Sequence, residues 1–459
     1  MKITLVRGLL FVGALCALAI GARAQVIELR GTINAAQENP ATSSTATGSA
    51  IMLYDVAANT FDLVVSISGM TNLATASHIH EGAAGVNGGV VTNLGADAVY
   101  VRSGSTLTQT FRGITHGGDK LKLIQGGTYF NIHSAQFPGG EVRGQLIARP
   151  IRLVANLDVA QEAAAFPALN FTAVNNFGAA VFVYDPTANT ISIRHSLYNY
   201  SSTFTNSHLH TGGPGVSGPV HTQLGTSATA GAYNSTNGVI SGSHDAVPYA
   251  GNPIELLTGL NYINYHSQAF TGGQLRGQVT VSNETVGTRM GNLSTRGFVG
   301  PGDQVLIGGI SIQGAEPVRL LITAKGPSLT AFGVAGALAN PRLALFDSAG
   351  RQIAINDDIG VTTGTELARI PGAPTIAVES ALVVVLPPGN YTAQVSSASG
   401  TGIAIVEAYD LRNLPTTLAI ASLAPARAAS PVQGFASVSA KNAQPELCVA
   451  APLVVVAVR

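Results

Sequence analysis

The chain reads YFNIHSAQFPGGEVRGQ at 129–145 and YINYHSQAFTGGQLRGQ at 262–278. Both stretches carry Tyr-x-Asn-x-His followed by Gly-Gly-x-x-Arg-Gly-Gln. The alternation of apolar and polar residues indicates half-buried β-strands, and the glycines between the strands indicate turns. Because the pattern occurs twice with the same spacing, it predicts a tandem duplication.

The similarity between the two copies extends upstream of these stretches. Ser-His-x-His occurs at 77–80 and again at 207–210, and a glycine-rich stretch follows each of them, at 85–90 and 215–220. The order of the blocks is kept, so each copy is a unit of roughly 120–130 residues, an ordinary domain size. Period-two alternation marks further strand candidates at 61–67, 142–147 and 191–197.

Length and composition narrow the class of protein. A chain of 459 residues exceeds what one hydrophobic core usually organises, so several domains are expected. Its 53 glycines and the absence of sustained helical periodicity favour short strands joined by tight turns. The formal net charge is zero and only 10% of residues are charged, which argues against a nucleic-acid partner, because such binding needs clustered positive charge.

These patterns predict an all-β fold with three tandem antiparallel β-sandwich or barrel domains after a signal peptide. From about residue 291 the sequence changes character, and strand candidates there, such as 305–312 and 381–386, indicate a third sandwich. The predicted segments are a signal peptide at 1–24, repeat 1 at 25–149, repeat 2 at 150–282, a third module at 291–412 and a low-complexity tail at 413–459.

The N-terminus predicts export. Basic residues precede an apolar run from Leu9 to Ile20, and small residues end at Ala24, where cleavage is expected. The run is shorter than the roughly 20 residues of a membrane-spanning helix, and the bulky residue before Cys16 disfavours lipid attachment. We therefore expect a secreted, periplasmic or cell-surface protein without a transmembrane segment in the mature chain. Cys448 is then the only cysteine, so no disulfide within the chain is possible.

Six histidines occupy repeated positions and form the candidate site. Side chains at i and i+2 of a strand share one face, so each His-x-His presents two imidazoles side by side. If the Tyr-x-Asn-x-His strand runs alongside, its histidine completes a three-nitrogen set suited to zinc or copper. The alternative is a polar network in which the imidazoles bond to carbonyls of the glycine-rich loops. The predicted metal ligands are His78, His80 and His133 in repeat 1, and His208, His210 and His266 in repeat 2.

Two further sets of polar residues admit a structural and a functional interpretation. Arg143 and Arg276 are expected to pair, as buried forks, with Glu38 and Glu162, or else to bind a carboxylate ligand. The run Asn356-Asp357-Asp358 is expected to form a turn with side-chain hydrogen bonds; the alternative is a calcium site, although the run lacks the spacing of a defined calcium loop.

Taken together, the His-x-His block, the Tyr-x-Asn-x-His strand and Gly-Gly-x-x-Arg-Gly-Gln resemble the CHRD domain, named after the chordin family. The resemblance covers about 27–148 and 152–281 and implies β-sandwich extracellular modules. The third module contains Gly-Pro-Ser-Leu at 326–329 and Pro-Pro-Gly-Asn-Tyr at 387–391. It resembles, in outline, the pre-peptidase C-terminal sandwiches of secreted bacterial proteins, and this resemblance implies no catalytic residues.

Catalytic motifs are missing from the sequence. It contains no nucleophile elbow, zinc-protease helix, phosphate loop or dinucleotide fingerprint in the required context. We therefore expect a non-enzymatic extracellular or envelope protein with a binding or structural role and no required cofactor. Its partner would be a protein, a polysaccharide or a metal ion, and Tyr198 and Tyr200 are candidate platforms for stacking sugars. The alternative is a zinc or copper protein, either a carrier or dismutase-like, that uses the histidine triads.

Overall fold

The computed structural model describes residues 26–165, 175–200, 202–226, 233–234, 239–283, 292–359, 367, 370–412 and 453–454. Every pair of neighbouring strands in its sheets is antiparallel, which confirms the predicted all-β class. The predicted signal peptide, Cys448 and the tail other than 453–454 lie outside the described residues.

Repeat 1 forms one nine-stranded sheet. Its strands are β1 (Val26–Asn34), β2 (Thr47–Asp55), β3 (Thr60–Ser68), β4 (Ala74–Glu81), β5 (Gly89–Gly95), β6 (Val101–Ser103), β7 (Thr106–Thr115), β8 (Thr128–Ser134) and β9 (Val142–Ala148). They are arranged in the order β5-β4-β8-β9-β1-β2-β3-β7-β6.

Repeat 2 forms a second nine-stranded sheet. Its strands are β10 (Ile151–Asp158), β11 (Phe177–Asp185), β12 (Thr190–Tyr198), β13 (Phe204–Thr211), β14 (Val220–Thr226), β15 (Tyr233–Asn234), β16 (Val239–Pro248), β17 (Asn261–Ser267) and β18 (Leu275–Val281). The order β14-β13-β17-β18-β10-β11-β12-β16-β15 reproduces that of repeat 1 strand for strand. The duplication seen in the sequence is thus a duplication of the fold.

Each sheet curls around its own core. In repeat 1 the Tyr100 hydroxyl, next to β6, donates to Ser77 Oγ in β4 at 2.8 Å, although β4 and β6 lie near opposite ends of the sheet. The Gly117 amide similarly donates to Thr92 Oγ1 in β5 at 3.2 Å. Apolar side chains such as Leu63 and Phe130 fill the interior and are fully buried. Hydrophobic burial is therefore the main stabilising contribution in each repeat.

In the described residues, three short α-helices interrupt the strands, where the sequence showed no sustained helical period. They are α1 (Lys120–Ile124), α2 (Val159–Ala165) and α3 (Pro253–Leu257). The Asp119 carboxylate accepts hydrogen bonds from the first amides of α1, and the Asn252 side chain does the same for α3. Side-chain capping defines where α1 and α3 begin, and α3 also has a proline in its first turn. Helices this short are too brief to show a hydrophobic period in the sequence.

The third module is a sandwich of two sheets. Its strands are β19 (Asn292–Val299), β20 (Leu306–Ile312), β21 (Val318–Lys325), β22 (Asn340–Phe346), β23 (Gln352–Asn356), β24 (Ser380–Leu386), β25 (Gly389–Ser399), β26 (Gly402–Asp410) and β27 (Leu453–Val454). One sheet has the order β19-β26-β21-β24 and the other the order β23-β22-β25-β20-β27. Leu320 and Leu343, both fully buried, lie in the core between the two sheets.

Repeat 2 docks against the edge of this sandwich. Tyr198 is buried and donates its hydroxyl to Val385 O in β24 at 2.9 Å, while the Val385 amide donates to Ser196 Oγ at 3.0 Å. The expected role as an exposed stacking platform is therefore wrong for Tyr198, which is 0% exposed, while Tyr200 is half-buried and packs against the apolar core. Two side chains of repeat 2 thus satisfy the backbone of an edge strand that would otherwise be open to pairing.

Replacing Tyr198 with Phe removes the hydroxyl that pairs with the Val385 carbonyl. A buried carbonyl without its donor costs about 1–2 kcal/mol, so we expect the free energy of unfolding to fall by that amount in urea titrations. Ser68 occupies the same position of β3 in repeat 1 and is exposed, so Ser68→Ala is the matched control, with a change within about 0.5 kcal/mol. Equal effects of the two substitutions would contradict the assignment of Tyr198 to a stabilising contact.

Among the described residues, no helix has the length and apolar character needed to cross a membrane.

Candidate metal centre

The histidine triad of repeat 1 is assembled by two neighbouring strands. In β4, His78 and His80 lie on one face of the sheet, and Ile79 between them is buried in the core. In β8, His133 lies on the same face as the two β4 histidines, and β8 pairs antiparallel with β4. The period of two in both strands therefore separates a polar face, which carries the candidate ligands, from an apolar face that packs inward.

The three imidazoles of repeat 1 converge. His78 Nδ1 lies 3.2 Å from His133 Nε2, and one ring nitrogen from each histidine lies within 4.8 Å of the others. Nitrogens that share a tetrahedral zinc or copper ion at 2.0–2.1 Å are about 3.3 Å apart, so the His78–His133 pair already has ligand spacing.

Backbone carbonyls select the tautomers of two of these histidines. His80 Nδ1 lies 3.0 Å from Gly88 O, and His133 Nδ1 lies 3.0 Å from Pro138 O. A carbonyl only accepts, so each Nδ1 carries the proton and each Nε2 keeps a free lone pair. His80 Nε2 is buried and has no hydrogen-bond partner among the described residues. Metal-binding histidines commonly donate one ring N–H to a backbone carbonyl, and this hydrogen bond orients the other ring nitrogen toward the metal ion.

Repeat 2 reproduces this geometry. His208 Nδ1 lies 3.2 Å from His266 Nε2, and the three ring nitrogens again lie within 4.8 Å of one another. His210 Nδ1 donates to Gly218 O at 3.0 Å, and His266 Nδ1 donates to Thr271 O at 2.9 Å. His210 Nε2 is likewise buried without a partner in the described part of the chain. The structure thus brings together all six predicted histidines, three in each repeat.

Burial favours the neutral form of four of these imidazoles. It lowers the pKa of His78 and His80, and it lowers the pKa of His208 and His210 to about 4, with the neighbouring histidines adding to the effect. Neutral imidazole is the form that binds a metal ion, because the lone pair must be free. No described carboxylate or thiol joins either set of three, so the first shell offered by the chain is uncharged.

Arginine, tyrosine and histidine form a stack behind each triad. Tyr129 lies parallel to the His80 ring with centroids 4.9 Å apart, and the Arg143 guanidinium lies 4.2 Å from the Tyr129 centroid. The Tyr129 hydroxyl also accepts a hydrogen bond from the Gly88 amide at 3.1 Å. The corresponding distances in repeat 2 are 4.7 Å from Tyr262 to His210 and 3.5 Å from Arg276 to Tyr262. The stack fixes the rotation of the central histidine of each triad.

The predicted pairing of Arg143 and Arg276 with acidic residues is wrong in its contacts. Arg143 Nη1 donates to Val86 O at 3.3 Å and to Asn87 Oδ1 at 3.1 Å, both in the glycine-rich loop. Arg276 Nη2 donates to the corresponding loop in repeat 2, at Gly213 O and Val216 O. The arginine side chain is long enough to cross the neighbouring strand and reach the loop, a contact that spacing along the sequence does not reveal.

Glu38 and Glu162 are instead buried neighbours of the asparagines at the centre of each polar face. Glu162 Oε1 accepts a hydrogen bond from Asn264 Nδ2 at 3.4 Å. Desolvation by burial raises the pKa of both Glu38 and Glu162 to about 7, against the opposing effect of the nearby arginine charge. Ala-Gln-Glu occurs at 36–38 and again at 160–162, so the sequence indicates that the two glutamates share a position, but it does not indicate their protonation.

A second buried polar cluster occurs only in repeat 2. On the inward face, His195, His244 and Tyr265 occupy positions that carry Val65, Phe111 and Ile132 in repeat 1. The His195 ring centroid lies 5.5 Å from that of His244 and 4.9 Å from that of Tyr265. Neither ring nitrogen of His195 has a hydrogen-bond partner among the described residues. Sequence reasoning missed this cluster, which comparison of the two copies position by position would have found.

This cluster makes the stability of repeat 2 sensitive to acid. Burial lowers the pKa of His195 well below 6.5 and that of His244 to about 4, with Arg194 adding to both effects and Asp245 opposing that on His244. Between pH 6.5 and about 4 the unfolded chain therefore binds more protons than the folded chain, and the free energy of unfolding falls as the pH falls.

The variant His195→Val with His244→Phe installs the residues of repeat 1 and tests this sensitivity. We expect the wild-type protein to lose about 2 kcal/mol more than the variant between pH 7 and pH 4.5, measured by urea unfolding at each pH. Glu38 and Glu162 titrate in both proteins, so their contribution cancels in the comparison. Parallel pH profiles of the two proteins would show that the buried histidines do not set the acid response.

The remaining polar motif of the sequence has a structural role. Asn356 Nδ2 donates to Asp358 O at 3.0 Å, and Asn356 Oδ1 accepts from the Ala381 amide at 2.8 Å. The run at 356–358 is thus a turn tied to β24 by a buried asparagine, in agreement with the turn interpretation. Within the described ranges, the two histidine triads are the only groups of three or more potential metal ligands.

Comparison with protein families gives one match in two places. The model of the CHRD domain matches residues 29–146 and 153–279, which together make up more than half of the chain. The two matched ranges contain both histidine triads and coincide with the two nine-stranded sheets. A comparison with curated proteins gives no match.

Proposed function

The chain belongs to the CHRD domain family, and we propose that it is an exported, non-catalytic binding protein whose two repeats each hold one transition-metal ion. The predicted signal peptide at 1–24 supports export. The family supports a binding or structural role and does not indicate catalysis. Zinc and copper are the metal ions that a set of imidazole ligands suits.

One observation carries the metal proposal: the same three-nitrogen geometry is built twice. In both repeats one histidine of a strand lies 3.2 Å from the histidine of the neighbouring strand, all three ring nitrogens lie within 4.8 Å of one another, and the carbonyl of a loop glycine orients the central imidazole. The alternative, a polar network without metal, leaves Nε2 of His80 and of His210 buried without a partner. An unpaired buried nitrogen costs about 1–3 kcal/mol, and an ion removes that cost.

Metal loading tests the proposal directly. The purified mature chain is stripped with a chelator, incubated with zinc, or with copper under reducing conditions, and passed through a desalting column. Elemental analysis is expected to find two ions per chain. Retention of neither metal would refute the proposal. An assay of superoxide consumption by the copper-loaded chain distinguishes a metal carrier from a dismutase-like enzyme. For the proposed binding protein we expect no superoxide consumption.

A further inference from the structure

The two stacked arginines carry charge that no carboxylate of the described residues contacts in a direct ion pair. Arg143 and Arg276 are each 1% exposed. They donate hydrogen bonds to loop carbonyls and neutral amide side chains, namely Val86 O, Asn87 Oδ1, Gly213 O, Val216 O and Gln278 Oε1. Neither guanidinium forms an ion pair with a carboxylate of the described residues. A buried cation without a partner is expensive, and it acts on any charge placed nearby.

The strand order places each arginine next to the tyrosine that stacks on the central histidine of a triad. In repeat 1, β9 carries the arginine, β8 the tyrosine and β4 the histidine, and these three strands are neighbours in that order. Arg143 Cζ lies 4.2 Å from the Tyr129 centroid, and that centroid lies 4.9 Å from the His80 ring. A metal ion on His80 Nε2 is therefore roughly 10 Å from the guanidinium, through tightly packed rings rather than water.

We propose that this stack makes each triad selective for the singly charged cuprous ion over doubly charged copper or zinc. The inference rests on the proposed metal-binding function and specifies which metal ion the sites prefer. Imidazole ligands alone do not discriminate, since they suit both copper and zinc. The three histidines of each triad contribute no negative charge. The nearest full charge, on the stacked arginine, therefore decides how strongly the site disfavours an ion of higher positive charge.

The size of the effect follows from Coulomb's law. One unit of charge at roughly 10 Å, in a medium of effective dielectric constant about 20, changes an equilibrium constant by about tenfold. A divalent ion carries one more unit than Cu(I), so each arginine should favour Cu(I) over Cu(II) by about tenfold. For a one-electron couple this corresponds to about 60 mV in midpoint potential.

The arginines also hold the glycine-rich loops, so the test separates charge from structure. The double variant Arg143→Lys with Arg276→Lys removes both guanidinium groups but keeps both positive charges. The double variant Arg143→Met with Arg276→Met removes both the guanidinium groups and the charges. The full mature chain is loaded with copper anaerobically, and its midpoint potential is measured at pH 6. Affinities for Cu(I) and Zn(II) are measured by competition with chromogenic chelators.

The wild-type protein is expected to bind Cu(I) more tightly than Zn(II). The methionine pair should have a midpoint potential about 60 mV lower than the lysine pair. Zinc binding at least as tight as Cu(I) binding, or equal potentials in the two pairs, would overturn the selectivity while leaving metal binding itself intact. Failure to bind any metal would instead remove the proposed function on which the inference depends.

A second measurement covers the case in which the methionine pair does not fold. Glu38 and Glu162 are the acids whose charge interacts with the two arginines, and burial raises the pKa of each to about 7. At pH 8 they are largely ionised and offset the guanidinium charge. Glu38→Gln with Glu162→Gln should therefore raise the midpoint potential at pH 8 relative to the wild-type protein. An unchanged or lower potential would contradict the role assigned to the arginine charge.

Discussion

Replacing His80 with alanine is expected to reduce the metal content of the loaded chain from two ions to one, and adding His210→Ala is expected to reduce it to none. Each substitution removes the central imidazole, whose buried Nε2 has no other partner in the described structure. Loss of an outer-shell support typically weakens metal binding about tenfold to a hundredfold, and loss of a ligand should exceed that range. Elemental analysis after desalting measures the outcome.

The matched control is a histidine from the other face of the sheet. His244 lies in the inward cluster of repeat 2, so His244→Phe, which installs the residue of repeat 1, should leave the metal content at two. Retention of two ions by the His80→Ala, His210→Ala chain would exclude the triads as the binding sites. A loss of metal in His244→Phe equal to that in His210→Ala would mean that general damage to repeat 2, rather than loss of a ligand, releases the ion.

Gly88→Ala is expected to give the largest loss of stability, together with loss of one metal ion. A Cβ at Gly88 would lie 1.7 Å from Glu81 O and 2.5 Å from the Glu81 carbonyl carbon, distances that require the backbone to move. The Gly88 carbonyl also accepts the Nδ1 proton of His80, so the movement withdraws the group that orients this ligand. We expect the free energy of unfolding to fall by about 2–3 kcal/mol and the metal content to fall to one.

The adjacent residue provides the control for this prediction. A Cβ at Gly89 would meet no atom within 4 Å, so Gly89→Ala should change the free energy of unfolding by less than about 0.5 kcal/mol and leave two ions bound. In repeat 2, a Cβ at Gly218 would lie 1.7 Å from Thr211 O, and Gly218→Ala should empty the second site in the same way. Equal stability of the Gly88 and Gly89 variants would show that the loop adapts to a side chain.

The sequence allowed the sheet architecture and the triads to be predicted because both depend on a period of two. In β8, Phe130 and Ile132 point inward and His133 points outward, as alternation requires. The pairing of the two strands that carry His78 and His133 was a condition of the predicted triad, and the structure provides it in both copies. Local sequence patterns were sufficient to predict the sheets and the triads, because both depend only on contacts between neighbouring strands.

Features that depend on long side chains or on contacts between domains could not be predicted. Arg143 reaches over Tyr129 to a loop more than fifty residues earlier in the chain, a contact with no local signature. Tyr198 looked like an exposed aromatic residue because its partner, Val385, belongs to the third module. His195 occupies a strand position that carries the apolar Val65 in repeat 1, so its burial could be predicted only by comparing the two copies position by position.

The contact between repeat 2 and β24 has a consequence for how the chain can be rearranged. Val154, Ala179 and Val181 form an apolar patch on repeat 2 that receives Val385. Repeat 1 carries Arg30 and Ser49 in place of the first two of these residues. An engineer who exchanged the two repeats would leave the backbone of an edge strand uncovered and would obtain a chain prone to self-association, whereas new modules can be attached before repeat 1 without that penalty.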